Sequence, residues 1–268
     1  MTGTNLTIGF KELTFLAALS DGETLLGIED PFDGWLAHQV EEEWEKIAPE
    51  MEAKRLIKRK PDGEIAVDDT IADIIKTCCF PSGCIILSRW EKEGQPANSC
   101  YYITKEMLVE KVDLESEYSC YLNVLQEPSV IAKRLELSIP VNNMKDNTTR
   151  GGEVPSSVIE EIRACAQNEQ ERAISLLQEK CPTFAEPALL VSDLIAPLSY
   201  NILIFSDFRT DPANTHGFSV LEGSKSTWKM RAFNKGEQEW LEVKSCSKDI
   251  LDQELAKIDR KVKAIANN

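Results

Sequence analysis

Few residues of this chain are suited to acid–base catalysis. The 268 residues include two histidines, His38 in an acidic stretch and His216 just before a glycine. Histidine is the side chain that most often transfers protons near neutral pH, so two isolated copies offer little for catalysis. A nucleophilic pair of Cys100 and His216 would require the fold to join residues that are distant in the sequence, and no motif favours it.

The eight cysteines are the next candidates, because thiolates bind metals and act as nucleophiles. Cys78, Cys79 and Cys84 are close in sequence, but a fourth ligand at zinc-site spacing is missing. Most cysteines stand in apolar or helical context, which is typical of small buried side chains in a reducing compartment. We therefore predict no metal site and no cofactor. The cysteines are Cys78, Cys79, Cys84, Cys100, Cys120, Cys165, Cys181 and Cys246.

Motifs for phosphate binding or hydrolysis are also absent from the sequence, including the Walker loop, GxSxG and HExxH. The consecutive carboxylates Asp68-Asp69 and Glu41-Glu42-Glu43 point in different directions around a helix, so capping and solvation explain them better than cation binding. No pair among the 45 acidic residues stands out as a glycosidase pair. The sequence predicts no catalytic residue, and an enzyme of unrecognised class remains an alternative.

The charge balance limits the partners. The net charge is −15, and residues 1–80 alone hold 8 Lys and Arg against 17 Asp and Glu. Such a surface repels nucleic acid and anionic membranes. The longest apolar stretches, such as Cys84–Leu87, are too short to span a bilayer, and the N-terminal residues lack a secretory pattern. We expect a cytoplasmic protein that neither binds nucleic acid nor inserts into a membrane.

Short sequence segments of the first half, which we call words, recur with similar residues in the second half. A unit of nearly 120 residues is too long for a solenoid repeat, so the pattern predicts a duplicated small domain. The matching words are Ile71–Ile75 with Val191–Ile195 at an offset of 120, Ile85–Trp90 with Leu203–Phe208 at 118, and Pro96–Ser99 with Pro212–Thr215 at 116.

Periodicity predicts the same order of elements in each half: helices, about four meandering strands, and a closing helix. This order indicates an α+β fold of two related subdomains in a quasi-twofold arrangement. We assign residues 1–141 to an N-terminal repeat, residues 142–157 to a linker and residues 158–268 to a C-terminal repeat. Within the first repeat, Asp30-Pro31 predicts the start of the long helix that carries Trp44, and either Asp68 or Asp69 is predicted to cap the next helix.

The N-terminal helices and the turn at Pro61-Asp62-Gly63 have the order of a winged-helix module. A winged-helix DNA reader needs a basic recognition face, and this region is acidic. A winged-helix-type regulatory protein with a β-rich ligand-binding half is therefore a second alternative.

The order of elements resembles a known family. A short strand ends at Phe10-Lys11-Glu12-Leu13 and leads into helices, and the turn Asp62–Asp68 precedes a helix closed by Pro81. A hydrophobic strand and a polar hairpin follow, and the whole plan recurs. This plan resembles the EspG-type chaperones of type VII secretion systems, of which the chain would be a distant member.

The resemblance implies a cytosolic, non-catalytic chaperone or adaptor. Its partner would be a helical-hairpin secretion substrate, a WXG or PE/PPE-like protein, which it keeps soluble. The partner would be held by the helical bundle of the second half, within residues 158–194, and by the first hairpin loop. An ordinary solvated turn is the alternative for that loop. The loop residues are Glu91, Lys92, Glu93, Gly94, Gln95, Pro96, Ala97 and Asn98.

Overall fold

The fold is built on one ten-stranded antiparallel sheet, flanked by helices on both faces. The computed structural model describes residues 5–22, 25–91, 96–114, 118–141, 150–165 and 167–267. Within these residues, no helix combines the length and apolar character needed to cross a bilayer. The predicted α+β class is confirmed.

The first half runs from an edge strand through three helices into a meander. Its helices are α1 (Phe10–Leu19), α2 (Ala37–Ala53), α3 (Asp69–Cys79) and α4 (Ser129–Ser138). Its strands are β1 (Asn5–Gly9), the small hairpin β2 (Ile57–Arg59) and β3 (Ile65–Val67), and the meander β4 (Gly83–Glu91), β5 (Ala97–Ile103), β6 (Leu108–Leu114) and β7 (Ser119–Leu125). Of the two predicted capping residues, Asp68 is the cap, since its carboxylate accepts hydrogen bonds from the amides of Thr70 and Ile71.

The second half repeats this plan without the small hairpin. Its helices are α5 (Ser156–Arg163), α6 (Gln170–Lys180), α7 (Pro187–Ile195) and α8 (Lys248–Ala266), with a short 3-10 turn at Gln167–Glu169. Its strands are β8 (Gly151–Pro155), β9 (Ser199–Asp207), β10 (Asn214–Glu222), β11 (Thr227–Lys235) and β12 (Gln238–Ser245).

The strand order shows that a quasi-twofold axis relates the two halves. The order is β1-β7-β6-β5-β4-β9-β10-β11-β12-β8, so each half contributes a meander with its own first strand at the outer edge. At the centre, β4 pairs antiparallel with β9, and Gly83 lies opposite Asp207 while Glu91 lies opposite Ser199. The middle pair is Leu87 with Leu203, which marks the axis. The sheet is therefore continuous across the two subdomains.

The structure places the repeat in a different register from the matching sequence words. Helices α3 and α7 end at Cys79 and Ile195, and β4 and β9 begin at Gly83 and Ser199, so the offset is 116 in both cases. The words at offsets of 120 and 118 are thus displaced by four and two residues. A shift of four keeps the same face of a helix and a shift of two keeps the same face of a strand, which is why the displaced words still matched.

Three hydrophobic clusters hold the layers together. One lies under α4 and α8 and contains residues of both halves, among them Leu87 and Leu203. The opposite face of the sheet carries two separate clusters, one beneath α1–α3 and one beneath α5–α7. We call these two sides the α4/α8 face and the bundle face. Because the α4/α8 cluster is shared, neither half forms the core on that face by itself.

One local expectation was wrong. Asp30-Pro31 does not begin a helix: the Asp30 carboxylate accepts from the amide of Phe32 at 2.9 Å in a turn, and α2 begins at Ala37. Residues 151–157, assigned to the linker, form β8 and the first residues of α5. β8 pairs with β12 at the sheet edge, where its proline costs no ladder hydrogen bond. The division into repeats at residues 141 and 158 remains a prediction.

Candidate functional site

An apolar strip lies open at the centre of the bundle face, between the two helical layers. The register pairs Ile86 with Ile204 and Trp90 with Tyr200 on this face. Ile204 is 37% exposed and the others are partly exposed, although β4 and β9 are the central strands of the sheet. We call this surface the central strip. It consists of Ile86, Ser88, Trp90, Tyr200, Ile202 and Ile204.

The other face of the same two strands is closed. Ile85, Leu87, Leu203 and Phe205 alternate with the strip residues and are at most 2% exposed beneath α4 and α8. β4 and β9 are thus covered normally on the α4/α8 face. The central strip is open because α1–α3 and α5–α7 leave a gap between them on the bundle face.

One end of the strip is aromatic. The rings of Trp90 and Tyr200 lie 5.9 Å apart. The guanidinium of Arg163, the last residue of α5, lies 4.8 Å from the centre of the Tyr200 ring, which is a cation–π distance. The second-half bundle thus borders the strip at this end.

The other border is the segment between α1 and α2, which we call the connector and define as residues 25–36. Tyr102 donates to the carbonyl of Leu26 at 2.6 Å, and the fully buried Lys111 donates to the carbonyl of Gly27 at 2.8 Å. Lys111 also pairs with Asp113 at 2.7 Å, so its charge is compensated. These bonds fix the connector on the sheet.

Gly27 has a positive φ of 70°, and a β-carbon there would stand 2.4 Å from the Cys100 sulfur. Only glycine satisfies both conditions without a shift of its surroundings. A cavity of about 570 Å³ lies between the connector and the sheet, and its lining includes Ile86, Ser88, Pro96 and Asn98. The strip therefore continues into a cavity beside it.

The hairpin loop that the resemblance singled out is only partly described. Glu91 ends β4, is exposed, and pairs with Arg89 at 2.7 Å. Lys92, Glu93, Gly94 and Gln95 lie outside the described residues. Ala97 begins β5, and Pro96 and Asn98 line the connector cavity. The loop thus leaves and re-enters the sheet beside the central strip.

The helices within residues 158–194 form a packed bundle. α5, α6 and α7 contact one another, and Val158, Ile162, Leu177 and Leu190 lie in their common core. α7 is fixed to the sheet by Asp193, whose carboxylate accepts from the Trp228 indole at 2.9 Å. Burial raises the pKa of Asp193, while the Trp228 hydrogen bond opposes the increase.

The thiols are poorly suited to nucleophilic or metal chemistry. Burial raises the pKa of Cys78 and of Cys84, and it raises the pKa of Cys79 to about 11. Such thiols are protonated at neutral pH. Across the described ranges of the chain, no group of three His, Cys, Asp or Glu side chains is placed to hold a metal ion.

Cys100 and His216 are not brought together. Cys100 is fully buried in the cluster beneath α1–α3 on the bundle face. His216 pairs with Phe205 on β9, which places its side chain on the α4/α8 face. The sheet separates the two side chains, so they form no dyad.

The central strip was missed by sequence reasoning. The run from Cys84 to Trp90 is nearly continuous apolar, which is typical of a strand covered on both faces. The exposure of Ile86 depends on a gap between helices that are far away in sequence. A usable signal was Ser88, which interrupts the apolar residues on the bundle face of β4.

Comparison with known proteins supports the architecture. No protein-family model matches the chain, and no curated protein sequence does either. Among solved structures, the fold is similar to the Mycobacterium tuberculosis type VII secretion system chaperone EspG5, determined in complex with a PE25-PPE41 dimer. The TM-score is 0.59 at 13% sequence identity, and the match covers 94% of this chain and 95% of that one. This chain is therefore similar in fold to EspG5 over nearly its full length.

Proposed function

We propose that the protein is a non-catalytic, cytosolic chaperone or adaptor that holds a helical-hairpin partner protein against the central strip. The observation that carries the proposal is the partly exposed apolar surface at the middle of the sheet, where folded proteins normally bury their side chains. The likeness to a secretion chaperone supports the same conclusion and favours a WXG or PE/PPE-like substrate of a type VII secretion system.

The shape of the site suits an inserted helical tip. The strip is apolar along the Ile86–Ile204 pair and is bordered by charged groups such as Arg163 and Glu91. Interfaces that bind proteins reversibly have this pattern of an apolar centre and a polar rim. An amphipathic helix or hairpin tip buries its apolar face in such a groove.

Two other classes of function are less well supported. The excess of acid in residues 1–80 argues against nucleic-acid binding by the winged-helix-like region. The raised pKa values of the buried cysteines argue against thiol catalysis.

The first test places a charge on the strip. A helical-hairpin protein of the WXG or PE/PPE class would be purified separately and titrated into this protein by isothermal calorimetry. Ile204→Glu should weaken binding at least tenfold, because a carboxylate would have to be desolvated in the interface. The matched control is Leu137→Glu, since Leu137 is 85% exposed on α4, on the other face of the sheet. Equal affinities for the two variants would contradict the proposal.

A second test addresses the hairpin. Replacing both Lys92 and Gln95 by Glu should weaken the complex if the loop contacts the partner, and an unchanged affinity would remove the loop from the interface. Asn98→Trp would fill the connector cavity next to the strip without adding charge. Loss of binding in both variants, with retained melting temperature, would support a surface formed by the loop and the strip together.

A further inference from the structure

A second cavity, unrelated to the central strip, lies on the α4/α8 face. It measures about 490 Å³ and is formed between α8 and strands β9–β11. Its apolar part includes Leu203, Phe205, Phe218 and Ile258, all buried. The sheet separates this cavity from the central strip.

The polar part of this cavity is cationic, although the whole chain carries a net charge of −15. Arg231, Lys257, Arg260 and Lys261 line it together with one carboxylate, Glu254. Four cations and one carboxylate give the lining a formal charge of +3, with His216 counted as neutral.

The one carboxylate of the lining is already shared among several cations. Glu254 accepts from Lys229 at 2.8 Å, from Arg231 at 3.1 Å and from Lys257 at 3.2 Å. Its single negative charge is therefore shared among three cations, and the lining keeps a net positive charge.

Lys261 is the cation least satisfied by its surroundings. Its ammonium lies 5.3 Å from the centre of the Phe205 ring, and the nearby Asp207 is bound by Arg209 at 2.8 Å. In the part of the chain that the structure describes, Lys261 forms no ion pair within 4 Å. Burial lowers the pKa of Lys261 below the ordinary value for lysine; attraction to Asp207 opposes this decrease and repulsion from Arg231 adds to it.

An apolar pocket beside an excess of positive charge is complementary to an amphiphilic anion. The volume is in the range that holds a single small ligand, roughly 300–1,000 Å³, and is too small for a folded polypeptide segment. We infer that this cavity binds a small amphiphilic carboxylate, with the carboxylate at Lys261 and Arg231 and the apolar chain against Phe205, Phe218 and Ile258. We call it the α8 cavity.

The probe for this site is dodecanoate, titrated into the full chain by isothermal calorimetry. We expect saturable binding of one molecule per chain, and no saturable binding of dodecyltrimethylammonium, which has the same chain length and the opposite charge. Absence of dodecanoate binding, or equal binding of the cationic probe, would overturn the inference.

Two variants locate the site. Lys261→Met keeps an apolar stem and removes the charge, and should weaken dodecanoate binding about tenfold, which corresponds to the loss of one charged hydrogen bond. Lys263→Met is the control, because Lys263 is on the same helix but pairs with Asp259 at 2.6 Å outside the cavity. Equal affinities for these two variants would contradict the site.

A steric variant makes an independent test. Ala264 is exposed and lines the α8 cavity, so Ala264→Trp should obstruct it and abolish binding without changing the charge. Circular dichroism melting of each variant checks the fold. Retained binding by a folded Ala264→Trp variant would overturn the assignment to this cavity.

Discussion

The Lys229 ammonium lies 2.8 Å from the Glu254 carboxylate and joins β11 to α8. The first half has the same ion pair with the charges exchanged, since Glu110 on β6 pairs with Arg134 on α4. The strand pairing shows the equivalence: Glu110 is joined through Tyr101 to Ile85, and Lys229 is joined through Val220 to Asn201, which follows Ile85 at the offset of 116. On the closing helices, Glu254 comes 120 residues after Arg134. Each closing helix is thus held to its strand at the corresponding place. The carboxylates of both pairs are buried.

This relationship predicts that the first pair can be reversed. Glu110→Lys alone should reduce the free energy of unfolding by about 3 kcal/mol, because it buries a cation beside Arg134. The double variant Glu110→Lys with Arg134→Glu copies the second half and should recover more than half of the loss. Urea denaturation of the four proteins of the cycle measures the coupling. No recovery in the double variant would show that the two pairs are not equivalent.

A second prediction concerns the connector. Gly27→Ala should destabilise the protein by about 2–4 kcal/mol, because the new β-carbon would overlap the Cys100 sulfur at a positive φ. Gly34→Ala is the matched control, since Gly34 also has a positive φ, 76°, but no atom lies within 4 Å of a β-carbon there. We expect a loss of about 1 kcal/mol for the control. Equal losses measured by urea denaturation would exclude the packing explanation.

A third prediction concerns the titration of His216. Burial, followed by repulsion from Lys261 and Arg231, lowers its pKa below 6.5. Because the unfolded chain then binds the proton more readily, His216 should reduce the stability of the fold as the pH falls below about 6.5. NMR titration of the imidazole measures the pKa directly.

The same titration has an internal check. Lys261→Met should raise the pKa of His216, because it removes one source of repulsion. Lys263→Met should leave it unchanged, since Lys263 does not act on the imidazole. A pKa of His216 at or above 6.5 in the unmodified protein would contradict the electrostatic description of the α8 cavity.

A fourth prediction concerns the two halves. Residues 1–141 alone would expose the β4 edge, which pairs with β9 along nine residues, and the half of the shared cluster that contacts α8. We expect this fragment to be unfolded or self-associated, and residues 150–268 to restore a soluble complex on mixing. Light scattering and circular dichroism distinguish these states. A cooperative monomer of residues 1–141 would contradict the shared core.

Much of the fold could be predicted from periodicity and turn chemistry. Asp68 caps α3 and the turn at Pro61–Gly63 joins β2 to β3, because both signals act within a few residues. β8 was missed since Gly151, Gly152 and Pro155 are residues that strands normally avoid. The helix start predicted at Asp30 was wrong because an acidic side chain that can cap a helix can equally accept the hydrogen bond of a turn.

The sites depended on contacts that no local pattern contains. Ile86 and Ile204 read as buried strand residues, and their exposure follows from the distance between two helical layers. The α8 cavity required α8 to lie over β9–β11, which brings Lys261 to Phe205 across 56 positions of sequence. The structural register of the repeat could not be predicted from the sequence either. Strand segments shifted by two residues and helix segments shifted by four keep the same pattern of burial.

The pairing of Leu87 with Leu203 has an evolutionary consequence. A strand that pairs with its own counterpart about a twofold axis is the contact that two identical half-length chains would make. A half-length ancestor could therefore have existed as a symmetric homodimer with the same ten-stranded sheet. Fusion of its gene would then have allowed the two copies to diverge, so that one now has a negative strand residue at Glu110 and the other a positive one at Lys229.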